Sequence, residues 1–279
     1  MSVKTALIQL RSGRDMARNI ADASALIEEA VRQGAEFVLT PEMTNILETD
    51  RERLGGLVRP QSEDPSVAAF AALSRKRRIW LLAGSFALKG PQDKLVNRSL
   101  LFGPDGKVAA RYDKVHLFDV DLPDGQRLRE SAAYSAGHPV PVVPLPFATV
   151  GLTICYDVRF PQLYRALAQA GAEVLTVPSA FTKITGEAHW HVLLKARAIE
   201  TGSFILAPAQ GGLHECGRET FGMSLAVSPW GQTMAEGGQE PQVVMTVIDR
   251  SLAQDARRRI PVLARDRQAT LNAGGEVAT

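Results

Sequence analysis

Three reactive side chains follow strand-like segments at widely separated points of the sequence. Cys155 comes directly after the apolar segment VGLTI, Glu42 follows EFVLT, and Lys114 follows KVAARY through one aspartate. A cysteine at a strand-to-helix turn is exposed at the sheet edge, and the N-terminus of the following helix favours its thiolate. The backbone N–H of Tyr156 is then placed to donate to an oxyanion. Taken singly, a core cysteine and two surface residues are the competing interpretations.

Together the three side chains form a coherent chemical set. A lysine ammonium about 4 Å from a thiolate contributes on the order of 4 kcal/mol at an effective dielectric constant of 20. That is enough to favour the thiolate at neutral pH, and the same cation can stabilise a tetrahedral oxyanion. A buried Glu42 with a raised pKa would accept the thiol proton, deliver it to a leaving amine and later activate water.

The composition excludes several other classes of protein. The chain has 279 residues, a formal net charge of +2, 45% hydrophobic and 22% charged residues. This is ordinary globular composition, and the near-neutral charge removes the electrostatic case for binding nucleic acid. Two cysteines, Cys155 and Cys216, cannot build a disulfide framework, which favours a reducing compartment. No signal peptide and no apolar window of about 20 residues is visible, so we expect a cytoplasmic protein without a membrane segment.

Strand and helix patterns alternate along the chain. Helical spacing is found over residues 15–33, 65–78, 161–170 and 187–200. Strand patterns cover residues 3–10, 36–40, 79–86, 99–102, 107–112, 150–154, 173–177, 204–207, 221–227 and 243–248. The segments GPDG and SPWG predict two hairpin turns, and hairpins beside strand–helix–strand units predict mixed sheets. We expect one domain over residues 1–267 and a frayed tail over 268–279.

The sequence offers no sign of a cofactor or a metal. It contains no GxGxxG fingerprint and no P-loop. His189 and His191 flank Trp190 on a predicted helix and so point to different faces, whereas helical metal ligands are three or four residues apart. We therefore expect a metal-free, cofactor-free protein.

The segments around the three reactive residues resemble a known family. PEMTN around Glu42, YDKVHLF around Lys114 and GLTICYDVRFP around Cys155 are similar, in order and position, to the three motifs of the nitrilase, or carbon–nitrogen hydrolase, superfamily. The resemblance implies an α-β-β-α sandwich of two mixed sheets that pairs into an α-β-β-α-α-β-β-α homodimer or forms a higher even oligomer. It implies that Glu42 is the general base, that Lys114 stabilises the oxyanion and that Cys155 is the nucleophile. Glu130 matches a second glutamate that orients the lysine or the substrate.

Details of the sequence suggest a branch of the superfamily. Tyr-Asp follows Cys155 where true nitrilases carry Trp-Glu, which indicates amide rather than nitrile cleavage. Residues 178–209 and the SPWG turn resemble the amidases that act on deaminated glutathione, with the omega-amidases for 2-oxoglutaramate closely similar. The expected reaction converts a small 2-oxo-acid amide to acid plus ammonia through a thioester. Met223 departs from these relatives, which usually carry histidine there.

Several alternatives stay open from the sequence. A nitrile or carbamoyl substrate, a catalytically silent scaffold, and a thiol redox protein using Cys155 and Cys216 are each conceivable, although no CxxC spacing is present. Four residues are expected to bind substrate: Tyr156, Arg159, Phe181 and Thr182. Arg159 has two possible partners, either a substrate carboxylate or a structural acid at Asp157 or Asp113.

Overall fold

A computed structural model describes residues 2–92 and 94–265 of the chain. The helices are α1 (Met16–Arg32), α2 (Arg51–Leu57), α3 (Pro65–Arg77), α4 (Pro161–Gln169), α5 (Lys183–Thr201) and α6 (Arg250–Arg259). The strands of the N-terminal half are β1 (Ser2–Gln9), β2 (Phe37–Leu39), β3 (Trp80–Lys89), β4 (Leu95–Phe102), β5 (Val108–Asp113), β6 (Asp119–Asp121) and β7 (Arg127–Arg129). The remaining strands are β8 (Val142–Pro144), β9 (Thr149–Leu152), β10 (Val174–Thr176), β11 (Phe204–Ala207), β12 (Gly211–Leu213), β13 (Glu219–Phe221), β14 (Leu225–Val227), β15 (Thr233–Glu236) and β16 (Gln242–Asp249).

Two six-stranded sheets dominate the architecture. The first has the order β16-β1-β2-β3-β4-β5 and the second β15-β14-β11-β10-β9-β8. Each contains three neighbouring parallel strands and antiparallel strands beside them. The predicted turns occupy equivalent places, because GPDG joins β4 to β5 and SPWG joins β14 to β15. The predicted pair of mixed sheets is confirmed.

Alternation along β1 shows how the layers are stacked. Val3 and Leu7 contribute to the core between the sheets, together with residues of β9 and β11, whereas Ala6 and Ile8 face a second core formed with α1 and α3. On the far side, α4 and α5 cover the second sheet, and Trp190 of α5 is almost completely buried. These contacts give the layer order α-β-β-α, as predicted.

Helix boundaries follow local chemistry. The Asp15 carboxylate accepts hydrogen bonds from the first backbone amides of α1, and Gly34 follows the helix with a φ of +91°. Asp64 caps α3 in the same way, and Pro65 opens that helix, where its missing N–H costs nothing.

Some sequence-based assignments were wrong. The continuous strand predicted over residues 221–227 is divided into β13 and β14, because Gly222 and Met223 both adopt positive φ and interrupt the extended chain. Helix α5 begins at Lys183, four residues before the predicted start. Helices α2 and α6 and the β6–β7 hairpin were not predicted, since their short, charged sequences carry little apolar periodicity. The tail predicted over residues 268–279 lies outside the described residues.

Candidate active site

The turn after β2 carries Glu42. Gly84 of β3 makes this turn possible, since a Cβ atom there would lie 1.8 Å from the Thr40 carbonyl oxygen and 2.4 Å from the Pro178 side chain. Thr40 follows β2 of the first sheet, and Pro178 follows β10 of the second sheet. The absent side chain therefore lets the two sheets approach closely at the point where Glu42 lies.

Lys114 lies between two carboxylates. Its Nζ atom is 2.9 Å from Glu42 Oε1 and 2.8 Å from Glu130 Oε2. Asn97 Nδ2 donates to the same two glutamates, at 2.8 Å and 3.1 Å. The second oxygen of Glu42 accepts from the Ala180 amide at 2.8 Å. The structure thus brings together Glu42, Lys114 and Glu130 in one buried network.

Cys155 begins the short 3₁₀ helix Cys155–Arg159 that precedes α4, so it lies at a strand-to-helix turn as expected. Its φ is +48°, a conformation that residues with a side chain rarely adopt. Its backbone N–H donates to the Pro178 carbonyl at 3.0 Å. The side chain is buried and lines the same cleft as Glu42 and Lys114.

Hydrogen bonds to the Asp157 carboxylate fix the conformation of this turn. The carboxylate accepts hydrogen bonds from the Ile154 amide at 2.8 Å and from the Tyr112 hydroxyl at 2.7 Å. It also accepts from the His116 amide at 3.1 Å and contacts His116 Nδ1 at 2.7 Å. Tyr112 and His116 flank Lys114 in sequence, so Asp157 ties the lysine segment to the cysteine turn.

The electrostatics differ from the expectation for Glu42 and Cys155. Burial would raise the pKa of Glu42 and is the largest single influence, but the charges and hydrogen bonds of its partners, led by Lys114, together lower the pKa below its ordinary value. Burial, and then the Glu42 carboxylate, raise the pKa of the Cys155 thiol. The expected Lys114-stabilised thiolate was wrong for the resting site, because the charge of Lys114 is already compensated by two carboxylates. The resting pair is a neutral thiol beside an ionised glutamate.

Burial would lower the pKa of Lys114, but Glu130 and then Glu42 raise it well above the ordinary value. Lys114 therefore stays an ammonium throughout the physiological range. It is a fixed positive charge and a hydrogen-bond donor, and it cannot act as the base.

Two cavities meet at Cys155. A cleft of about 240 Å³ is lined by Cys155, Glu42, Lys114 and Glu130. A much smaller cavity of about 10 Å³ is lined by Cys155 and by three predicted substrate-binding residues, Tyr156, Phe181 and Thr182. Phe118 also lines both. Cys155 therefore borders both spaces, and the smaller one has room for about one water molecule.

Arg159 has neither of the acidic partners considered from the sequence. Asp157 is taken by the contacts above, and Asp113 forms a bidentate pair with Arg98 at 2.6 and 2.7 Å. The Arg159 guanidinium instead lies over the Tyr156 and Phe181 rings, 5.9 and 5.2 Å from their centroids. Its nitrogens are 3.3 Å from His189 Nδ1. Burial lowers the pKa of this half-buried cation.

The sequence analysis missed several residues of the large cleft. Arg218, Tyr134 and Met43 line it together with Cys155. Arg218 lies between β12 and β13, and nothing in its local sequence distinguishes it from other arginines of the chain. Met223 is the residue at which the sequence departs from the relatives that it resembles. It packs against the core between the sheets, and its carbonyl accepts a hydrogen bond from Trp190 Nε1 at 2.8 Å.

Two features concern only the part of the chain that the structure describes. Within residues 2–92 and 94–265, no group of three or more histidines, cysteines or acids is arranged to hold a metal ion. None of the helices in these ranges has the length and apolar character needed to cross a bilayer. Both cysteines are free thiols.

The chain belongs to the carbon–nitrogen hydrolase family, whose model matches residues 4–258. It is 40% identical over 268 residues to the deaminated glutathione amidase of Synechocystis sp. (strain PCC 6803 / GT-S), covering 92% of this chain and 96% of that protein. It is 38% identical over 269 residues to the human deaminated glutathione amidase, covering 92% of this chain and 80% of the relative.

Solved structures agree with the family assignment. The NitFhit protein of C. elegans superimposes with a TM-score of 0.89 at 35% identity, covering 95% of this chain and 65% of that one. A mutant of the amidase from Nesterenkonia sp. AN1 shows Michael addition of acrylamide at the active-site cysteine; it matches with a TM-score of 0.76 at 28% identity, covering 93% of this chain and 98% of that one. This chain is an amidase that acts through a cysteine.

Proposed function

We propose that the chain hydrolyses the amide of deaminated glutathione, with Cys155 as nucleophile, Glu42 as general base and Lys114 as oxyanion donor. The observation that carries the assignment of roles is the fully buried Lys114 ammonium, held between Glu42 and Glu130 in a cleft that Cys155 also lines. The substrate follows from the relatives of that name at 36–40% identity over most of this chain.

In the first half-reaction, the Cys155 sulfur attacks the amide carbonyl carbon while its proton passes to Glu42. Because the thiol pKa is raised and the Glu42 pKa is lowered, proton transfer before attack is unfavourable, so we assign transfer concerted with S–C bond formation. Lys114 and the Tyr156 amide then donate to the oxyanion. Glu42 returns its proton to the amide nitrogen, the C–N bond breaks, and the amine leaves behind a thioester.

In the second half-reaction, Glu42 takes a proton from water as the water oxygen attacks the thioester carbonyl. The same donors hold the second tetrahedral intermediate. When this intermediate collapses, the C–S bond breaks, the sulfur recovers its proton from Glu42, and the carboxylic acid is released. Glu130 and Asn97 keep Lys114 and Glu42 in place through both steps.

In this proposal, the four predicted substrate-binding residues contact the acyl part of the substrate. Arg159 offers a guanidinium without a described carboxylate partner and is supported by the Tyr156 and Phe181 rings. It pairs with the carboxylate of the 2-oxo acid, for which its planar fork is suited. Thr182, buried beside Phe181, completes the wall of the small cavity.

The second product needs a correction on chemical grounds. Deaminated glutathione is glutathione with its amino group replaced by an oxo group, so its scissile amide nitrogen belongs to cysteinylglycine. Hydrolysis releases 2-oxoglutarate and that dipeptide. The ammonia expected from the sequence analysis is the product only for a primary amide such as 2-oxoglutaramate.

Release of 2-oxoglutarate from deaminated glutathione and from 2-oxoglutaramate tests the proposal, since both substrates yield this acid. We expect a higher kcat/KM for deaminated glutathione, and we expect acid quenching to leave a 2-oxoglutaryl adduct on the peptide that contains Cys155. The Cys155→Ala protein should lose turnover and adduct, whereas the matched Cys216→Ala protein should retain both.

Three results would contradict parts of this proposal. Faster turnover of 2-oxoglutaramate would transfer the assignment to an omega-amidase. An active Cys155→Ala protein would remove the proposed nucleophile. Paired loss of both thiols on mild oxidation, with a bridge between them, would instead support the redox alternative.

We further propose a cytoplasmic homodimer. Val192 and Ile199 of α5 expose 69% and 57% of their surface. Trp230 of the SPWG turn and Leu252 of α6 line a groove, and Ile199 lies against Gly231 of the same turn. Such adjoining exposed apolar residues favour a protein partner, and a second copy of the chain is the partner that the family resemblance implies. Two free thiols, one of them the proposed nucleophile, favour a reducing compartment.

A further inference from the structure

The hairpin of β12 and β13 holds Arg218 over the large cleft. The His214 amide donates to the Arg218 carbonyl at 2.9 Å, and His214 itself is anchored to Ser12 and Thr220. One guanidinium nitrogen of Arg218 donates to the Ala180 carbonyl at 2.5 Å. Its Nε–H is buried and has no hydrogen-bond partner within the described part of the chain.

An unpaired buried N–H of this kind is unfavourable, and more so on a charged group. That nitrogen is closed to solvent, so a ligand would meet the other guanidinium nitrogens, and Arg218 forms no salt bridge within residues 2–92 and 94–265. Because Arg218 lines the cleft that Cys155 also lines, its charge is placed to pair with an anionic group of a molecule in that cleft. A carboxylate is the acceptor that matches a guanidinium in charge and shape.

Other arginines make the mouth of the same cleft basic. Arg51, Arg127 and Arg129 also line it, and all three are exposed. Arg129 is engaged with Asp121, while Arg51 donates to a backbone carbonyl and keeps its charge. Lys114 and Arg218 bring the cationic side chains of the lining to five against three glutamates, Glu42, Glu48 and Glu130, so an anion entering the cleft meets a net positive lining.

The positions of the two arginines decide which part of the substrate Arg218 meets. The proposed function assigns the acyl carboxylate to Arg159, whose guanidinium lies over the Tyr156 and Phe181 rings, whereas Arg218 lines the cleft of about 240 Å³. The leaving group is therefore assigned to that cleft. The leaving cysteinylglycine is larger than the acyl group. It also ends in a carboxylate, about 7 Å along an extended chain from the scissile nitrogen.

We propose that Arg218 binds the terminal carboxylate of the leaving group and so selects amides of peptide-like amines over primary amides. This inference rests on the proposed function and identifies the residue that sets its specificity. Arg218 acts on the substrate in binding, so its contribution belongs mainly to KM.

Three substrates with one common product test the proposal: deaminated glutathione, its C-terminal carboxamide, and 2-oxoglutaramate. In the native protein, replacing the glycine carboxylate by carboxamide should lower kcat/KM about tenfold to a hundredfold, chiefly through KM. Arg218→Gln should lower kcat/KM for the acid by a similar factor, and by much more than for the other two substrates. Arg218→Lys, which keeps the charge, should recover part of the loss, and Arg32→Gln, exposed at the end of α1, should lose nothing.

Each other outcome decides against the inference. Equal losses of kcat on all three substrates in Arg218→Gln would mean that Arg218 only positions the Ala180 backbone. Equal kcat/KM of the native protein for the acid and the carboxamide would show that the carboxylate is not recognised. If the native protein turned over none of the three while remaining active on other amides, the proposed function would fail, and this inference with it.

Discussion

Asn97 donates a hydrogen bond of 2.8 Å from Nδ2 to Oε1 of Glu42. The same oxygen accepts a hydrogen bond from Lys114 Nζ, and the other carboxylate oxygen accepts one from the Ala180 amide. The carboxylate is therefore fixed from three directions by a side-chain amide, a cation and a backbone amide. In the proposed mechanism, a base held in this way needs no reorientation when it exchanges protons with sulfur, amine and water, which preserves its geometry through both half-reactions.

Lys114→Met should be strongly destabilising. The substitution leaves Glu42 and Glu130 close together without their shared cation, and removing one partner of a buried pair costs about 3–5 kcal/mol. The loss should shrink at mildly acidic pH, since the pKa of Glu42 rises without Lys114 and protonation then removes the repulsion. Urea unfolding at pH 8 and pH 5 measures both effects. Lys183→Met is the control, because its pair with Glu219 is exposed; an equal loss there would contradict the argument.

Asp157→Asn should lower kcat by about a hundredfold with a small change in KM. The amide would present an NH₂ group to donors that now meet a carboxylate oxygen, so either the Ile154 contact or the His116 contacts would be lost. The cysteine turn and the lysine segment would then shift relative to each other. Steady-state kinetics with a thermal melt measures the effect. A variant that melts lower but keeps its kcat would restrict Asp157 to a purely structural role.

The pH dependence of stability should contain a contribution from His214. Burial lowers the pKa of His214 to about 4, and its neutral ring is satisfied by the Ser12 carbonyl and the Thr220 hydroxyl. The unfolded chain, with an ordinary histidine pKa near 6.5, binds the proton first as pH falls. Folding should therefore lose up to about 3 kcal/mol between pH 6.5 and pH 4 from this group.

Urea unfolding across that pH range, compared between the native protein and His214→Gln, isolates the histidine contribution. The variant should show a shallower decline of the free energy of unfolding. His138→Gln, at an exposed histidine, should follow the native curve. Parallel curves for the native protein and His214→Gln would show that His214 titrates alike in both states.

Ile199→Asp combined with Leu252→Asp should convert the proposed dimer to monomers. A carboxylate on each of two exposed apolar positions would have to be desolvated in an interface between copies. Light scattering after size exclusion gives the mass directly. Val108→Asp changes an exposed apolar residue on β5, in the other sheet, and should leave the mass unchanged. A native protein that is monomeric at micromolar concentration would overturn the dimer itself.

Periodicity and turn chemistry predicted much of the fold. The apolar face of α1, the proline at the start of α3 and the GPDG turn each act locally, so the sequence carries them without reference to the rest of the chain. The division of β13 from β14 could not be predicted, because the positive φ of Met223 accompanies a tertiary hydrogen bond from its amide to the Gly238 carbonyl, which the local sequence does not indicate. The charged helix α6 was missed since its burial involves only two alanines, Ala253 and Ala256.

The sequence likewise predicted only part of the candidate site. It predicted that Glu42, Lys114 and Cys155 lie together, because each follows a strand within a recognisable segment. The resting charge states were predicted wrongly, because they depend on Lys114 meeting two carboxylates at once, which spacing along the chain does not reveal. Arg218 was not singled out for a related reason: its position in the cleft beside Cys155 is defined only by three-dimensional packing.

The left-handed backbone at Cys155 reduces the stability of the fold at the position of the proposed nucleophile. A φ of +48° suits glycine, and any residue with a Cβ atom is less comfortable there by roughly 1–2 kcal/mol. Selection for stability alone would therefore favour glycine at residue 155, which has no sulfur. The protein keeps a less stable backbone conformation at the residue whose sulfur is the proposed nucleophile.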